Sequence, residues 1–203
     1  MGSPEHAQHG HQHAHEHGAS EEHSHPGHGK AGHIHDASCD VAHGVAAAPA
    51  EDKVLVAVFA TPVARFLLRY GADAGYRTVL IEPDGERAKE TSADSFELAD
   101  CLDGVPAHRT DFVVTDHHRP ELGVQLRDAL TAGTRWVGIM GNPRHDAPHV
   151  AALTELGVPA GEIDKVHRPI GLNIGSHTPA EIAIATLAGL IADRNGKPGG
   201  FEF

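Results

Sequence analysis

From residue 53 onward, apolar residues recur in two alternating rhythms. Lys53–Phe59 (KVLVAVF) is a continuous apolar run of strand length, which predicts a strand covered on both faces. Ala60-Thr61-Pro62 then turns the chain into a helix, with Val63, Phe66, Leu67 and Tyr70 along one face and Gly75 after its end. Thr78–Ile81 reads as a second strand, closed by Glu82-Pro83-Asp84, and the three elements make a βαβ unit. Gly85–His108 is polar. Its pattern predicts a short helix at Ser95–Leu98 and a short strand or loop near Cys101–Val105. Strands follow at Asp111–Thr115 and Arg135–Met140, and helices at Glu121–Ala132 and His145–Leu156. This alternation predicts an α/β, Rossmann-like, mostly parallel sheet flanked by helices over residues 53–203.

The longest patterned stretch is Val166–Arg194. Gly171 and Gly175 bracket Asn173 in a polar turn, and Thr178-Pro179-Ala180-Glu181 spells a helix start with the elements of a capping box. Ile182–Ile191 is almost wholly Ala, Leu, Ile and Thr, which predicts a helix buried on most faces. A glycine-rich loop feeding a capped helix offers backbone N–H groups to an anion. The same spacing equally describes a tight turn before a core helix without a ligand.

Residues 1–52 are different in kind. Twelve of the nineteen histidines lie between His6 and His43, among almost no large apolar residues, so this part forms no core and reads as a disordered tail with a linker. His6, His9, His11, His13, His15, His17, His23, His25, His28, His33 and His35 are candidate ligands for Ni²⁺, Zn²⁺, Cu²⁺ or Co²⁺. A solvated tail or a purification aid is the plainer alternative. The net charge is −12, of which the tail holds −7, and aromatics are only 4% of the chain, which argues against nucleic acid as a partner. No run of ~18 apolar residues suggests a membrane span. With two cysteines and no secretory pattern, the cytoplasm is the expected location.

Ligands of open parallel sheets bind beyond the carboxyl ends of the strands. That rule collects Thr61, Asp116-His117-His118, Gly141–His145 and the Gly171–Thr178 turn on one rim. Asp116, His117 and His118 are candidates for acid/base work or metal ligation, and Arg144 for holding a phosphate. Glu82 or Asp84 stands where a ribose-binding acid would follow the second strand. The first turn lacks G-x-G-x-x-G and reads Phe59-Ala60-Thr61-Pro62-Val63-Ala64. No P-loop, G-x-S-x-G or H-E-x-x-H motif occurs.

Pro169-Ile170-Gly171-Leu172-Asn173-Ile174-Gly175, followed by Thr178-Pro179-Ala180-Glu181-Ile182-Ala183, resembles the C-terminal signature of the XdhC/CoxI family, P-I-G-L-D-I-G-x-x-T-P-E-E-I-A. The resemblance covers Lys53 to about Arg194 and is strongest from Trp136 onward. It implies a Rossmann-like domain in an accessory protein, without turnover of its own, for molybdenum hydroxylases such as xanthine and carbon monoxide dehydrogenases. Its implied ligand is a nucleotide-bearing one such as a molybdopterin dinucleotide; the candidate residues for holding it, or NAD(P), are Thr61, Glu82, Asp84, Gly141, Arg144, Gly171, Asn173, Gly175 and Thr178. Its implied partners are hydroxylase subunits or cofactor-maturation proteins, with a homodimer possible. Family members usually carry Gly-Ala-Gly in the first turn and Asp where this chain has Asn173. They also carry an N-terminal domain with a glycine-rich, cysteine-bearing motif, in whose place the histidine tail stands. Two other readings remain open: an NAD(P)-dependent oxidoreductase using Asp116, His117 or His118, and a metal-storage protein with a scaffolding Rossmann domain.

Overall fold

The computed structural model describes residues 37–46, 52–91, 95–142, 144 and 146–200. The chain divides into two units, Met1–Ala48 and Pro49–Phe203. In the first, α1 (Ala37–Ala42) is a short helix extended by a bond from the His43 amide to the Cys39 carbonyl at 3.0 Å. The eleven histidines from His6 to His35 proposed as metal ligands lie outside the described residues.

The second unit is built on five parallel strands in the order β3-β2-β1-β4-β5. They are β1 (Val54–Val58), β2 (Arg77–Ile81), β3 (Glu97–Ala99), β4 (Thr110–Val114) and β5 (Trp136–Ile139). β1 lies at the centre, paired through its whole length with β2 on one side and β4 on the other. Every residue of β1 and β4 is buried, because helices cover both faces. Alternate residues of β1 therefore belong to different cores. Val54, Val56 and Val58 pack with Leu122 and Leu126 of α4 (Leu122–Thr131) and Leu153 of α5 (Pro148–Glu155). Leu55 and Ala57 pack with Leu67 and Leu68 of α2 (Pro62–Asp73) and Leu187 and Leu190 of α7 (Pro179–Arg194).

The crossover after β2 departs from the expected pattern. The short helix is α3 (Gly85–Glu90), and the segment expected to be helical at Ser95–Leu98 carries the edge strand β3 instead. Arg77 holds Glu97 through its Nε and Nη2 at 2.7 and 2.6 Å, which fixes β3 beside β2. α5 starts at Pro148, three residues after its expected start, and Arg168 donates to the Asn142 and Asp146 carbonyls before it. A small helix not anticipated, α6 (Ala160–Ile163), leads to His167, which extends the sheet by a single bridge to Gly138.

α7 is less enclosed than its composition suggests. Ala183, Ala185, Thr186, Leu187 and Leu190 are buried, but Ile184 and Ile191 are 50% and 37% exposed. Its far end is locked to the amino-terminal edge of the sheet. The fully buried Asp111 accepts from Arg135 Nε at 2.6 Å and Arg194 Nε at 2.8 Å. No helix among the described residues is long and apolar enough to cross a membrane.

Candidate functional site

β1 ends where the sheet order reverses, between β1 and β4, and this is where an open parallel sheet forms its ligand crevice. The turn there begins at Phe59, the one non-glycine residue with positive φ among those described, at 73°. A left-handed conformation costs such a residue about 1–2 kcal/mol. Phe59 is held in it by its amide's bond to the Ile81 carbonyl at 2.8 Å and by complete burial of its ring.

The next amide is already taken. Ala60 N donates to Glu82 Oε2 at 2.8 Å, and Asp84 N donates to Glu82 Oε1 at 3.1 Å. Glu82 thus folds back over the end of β1. Arg119, on the loop after β4, donates to Glu82 Oε1 at 3.1 Å and lies 4.7 Å over the Phe59 ring. Both side chains of this pair are withdrawn from solvent, at 9% and 0% exposure, and Glu121 adds a second carboxylate at 3.4 Å. The crevice is therefore crossed by an internal ion pair, and its first turn amide is neutralised by a side chain of the same chain. These residues do not fit the pyrophosphate of a dinucleotide at this turn: there is no glycine for close approach, and an anion would meet the Glu82 carboxylate.

The other rim residues are placed as follows. Thr61 caps α2, accepting from Ala64 N at 3.1 Å, and its hydroxyl donates to Thr115 Oγ1 at 2.9 Å. Asp84 caps α3 through Glu86 N and Arg87 N at 3.0 and 3.3 Å, and these two amide bonds hold its carboxyl below the usual range. Asp116 Oδ1 accepts from His118 N at 2.9 Å, which turns the chain so that the His117 and His118 rings lie 4.1 Å apart. Burial, and next the neighbouring His118, push the His117 imidazole below its ordinary value, so it is neutral at pH 7 and has a lone pair to offer. Gly141 admits the Arg168 guanidinium: a Cβ there would stand 2.9 Å from Arg168 Nε. Arg168 in turn donates to the carbonyls of Asn142 and Asp146 at 2.9 Å each. Arg144 is exposed, with its amide bonded to Asn142 Oδ1 at 2.9 Å.

The glycine turn before α7 is spent mostly on packing. Gly171 has φ of 83°, and an added Cβ would lie 3.0 Å from Ala185 C and Thr186 N in the middle of α7. Leu172 N donates to the Ala185 carbonyl at 3.0 Å. Gly175 also has positive φ, but faces open space, and Asn173 is exposed. At the helix start Glu181 N donates to Thr178 Oγ1 at 3.3 Å, while His177 N and Thr178 N donate to Glu181 Oε2 at 2.8 and 3.1 Å. The capping box is complete, so the helix supplies its own anion where a phosphate was expected.

The C-terminal signature and the Rossmann frame point to one family. The profile of the XdhC Rossmann domain matches residues 55–190. The chain belongs to that family. The Escherichia coli K12 protein YqeB, described as uncharacterized, is 40% identical over 109 residues, 53% of this chain and 19% of its own length. A crystal structure described as a xanthine dehydrogenase from Bacillus halodurans is similar at a TM-score of 0.58 and 22% identity, covering 71% of this chain and 45% of that one. At that identity the likeness shows the fold alone. The chain spans less than half the length of either relative.

Two features of the site were not singled out in the sequence. Arg119 follows the Asp116-His117-His118 run directly, and its position one turn past a strand end was the available signal. His149 is 5% exposed on α5, its imidazole pushed down by burial and then by Arg168; nothing in the sequence set it apart.

Proposed function

We propose that this chain is an accessory protein for a molybdenum hydroxylase of the xanthine or carbon monoxide dehydrogenase type, acting on a nucleotide-bearing molybdenum cofactor and having no hydride-transfer turnover of its own. The observation that carries the reading is the 2.8 Å bond from Ala60 N to Glu82 Oε2. A dehydrogenase needs that turn open to a pyrophosphate; a family domain that has closed it with its own carboxylate keeps the frame for another use. Membership of the XdhC Rossmann family supports the maturation role.

In this reading Asp116, His117 and His118 remain the polar group at the rim able to meet a cofactor or a client surface. The histidine tail would bind a transition metal, on the strength of its composition. The expected partners are hydroxylase subunits or cofactor-maturation proteins in the cytoplasm.

The experiment is to express a molybdenum hydroxylase of this type with and without the full chain, then measure the molybdenum content and activity of the purified enzyme. The expected result is a several-fold lower molybdenum occupancy without the chain. Equal occupancy in both, together with substrate-dependent NADH formation by the purified chain, would replace this reading with the oxidoreductase.

A further inference from the structure

The short crossover after β2 leaves something uncovered. α3 has six residues and no buried side chain, so it does not cover the face of the sheet that α2 shares with β2. A cavity of about 510 Å³ opens there, between α2 and the β2–β3 edge. Its walls include Leu80, Phe66 and Phe96, and from α2 the side chains of Arg65 and Arg69. The volume lies within the range of small-molecule sites.

The two arginines stand four residues apart on one helix face, so both reach the same space. Six arginines elsewhere each hold a carboxylate: Arg77, Arg109, Arg119, Arg127, Arg135 and Arg194. Arg65 and Arg69 make no ion pair among the described residues, although the chain carries a net charge of −12. Unanswered guanidiniums beside an apolar, aromatic-walled cavity suit a ligand with an anionic end and a flat ring. Glu90, the one carboxylate among the described residues of the wall, can accept only from donors such as ribose hydroxyls or an exocyclic amine. One class of ligand answers all three demands.

We propose that the cavity beside α2, and not the closed crevice between β1 and β4, binds a nucleoside phosphate, with its phosphate on Arg65 and Arg69 and its base against Phe66 and Phe96. The proposal rests on the reading that the domain handles a nucleotide-bearing cofactor, and it says where the nucleotide half sits.

Isothermal titration of the full chain with AMP, CMP and GMP tests it, with adenosine and inorganic phosphate as the separated halves. Four proteins are compared: wild type, the double variant Arg65→Ser/Arg69→Ser, Phe96→Ala, and Arg127→Ser as an arginine-loss control on α4. Melting curves check that each is folded. At least one nucleotide should bind wild type more tightly than either half does. The double variant should weaken binding tenfold or more, Phe96→Ala should weaken it and flatten differences between bases, and Arg127→Ser should leave it unchanged. Unchanged affinity in the double variant would place the nucleotide elsewhere and overturn this site alone, leaving the accessory role to the molybdenum-content experiment. No binding of any of the three nucleotides to wild type would overturn the site and the nucleotide-handling part of the role together.

Discussion

Glu82→Gln separates a carboxylate that builds the first turn from one that waits for a ribose. The Glu82 carboxylate is fully buried and takes three kinds of donor: Ala60 N at 2.8 Å, Asp84 N at 3.1 Å and Arg119 Nη2 at 3.1 Å. Glutamine keeps the shape but has one acceptor oxygen. Whichever way the amide turns, its NH₂ group faces a donor, and Glu121 at 3.4 Å is the only carboxylate left to the Arg119 guanidinium among its partners here. Breaking a buried pair by removing one partner costs about 3–5 kcal/mol. With Glu121 remaining, the lower end applies, about 3 kcal/mol. For a domain of this size that lowers Tm by about 6–12 °C. Thermal and urea unfolding of the ligand-free protein measure it, with Glu86→Gln as the control. Glu86 holds Lys89 at 2.7 Å with both side chains exposed, so its loss should stay within about 0.5 kcal/mol. A Glu82→Gln protein that melts within 2 °C or so of wild type would refute the reasoning and return Glu82 to the role of a ligand-binding acid.

Gly171→Ala should cost about 2–3 kcal/mol, from positive φ plus a Cβ set 3.0 Å from the α7 backbone, whereas Gly175→Ala should cost only about 1 kcal/mol for its φ; urea midpoints that reverse this order would contradict the packing argument. Burial, and next the Asp111 carboxylate, push the Tyr76 hydroxyl up to about 12 from its ordinary 10.0. Below pH 10 the group is neutral folded and unfolded and contributes nothing; between pH 10 and about 12 the unfolded chain loses the proton first, so stability should fall by up to ~2.7 kcal/mol, and Tyr76→Phe should abolish that slope. The histidine tail should bind several equivalents of Ni²⁺ or Zn²⁺ near pH 7.5 and release them as pH falls through ~6.5, because protonated imidazole cannot ligate. Equal stoichiometry in the full chain and in a chain beginning at Lys53 would remove the tail from the account.

The central strand was legible because its burial on two faces leaves an unbroken apolar run at Val54–Val58, and β4 was legible from the shorter run Phe112-Val113-Val114. The α7 cap was legible because Thr178 and Glu181 interact within four residues, and local chemistry is written locally. The crossover after β2 was not. Glu97 is drawn into β3 by Arg77, twenty residues away, and no local period announces such a pair. The hydrogen bonds around the first turn were not legible for the same reason. Glu82 had the right place for a ribose acid, but its occupation depends on Ala60 and Arg119, which come near it only in the folded sheet. Glycines misled in a related way: Gly171 looked like a residue freed for a ligand, and it makes room for a helix.

That contact limits what the signature loop can do. Gly171 and Leu172 are fastened to the middle of α7, and His177 and Thr178 are fastened to its first turn through Glu181. Only residues 173–176 are left between the two anchor points, and even there Ile174 N is tied back to the Leu172 carbonyl at 3.0 Å. A span of four residues clamped at both ends to one rigid rod has little slack. It cannot swing across the rim to meet a distant ligand. Whatever touches Asn173 and Ile174 has to come to them, and it meets a loop seated on a helix whose far end is itself held by the Arg194–Asp111 pair.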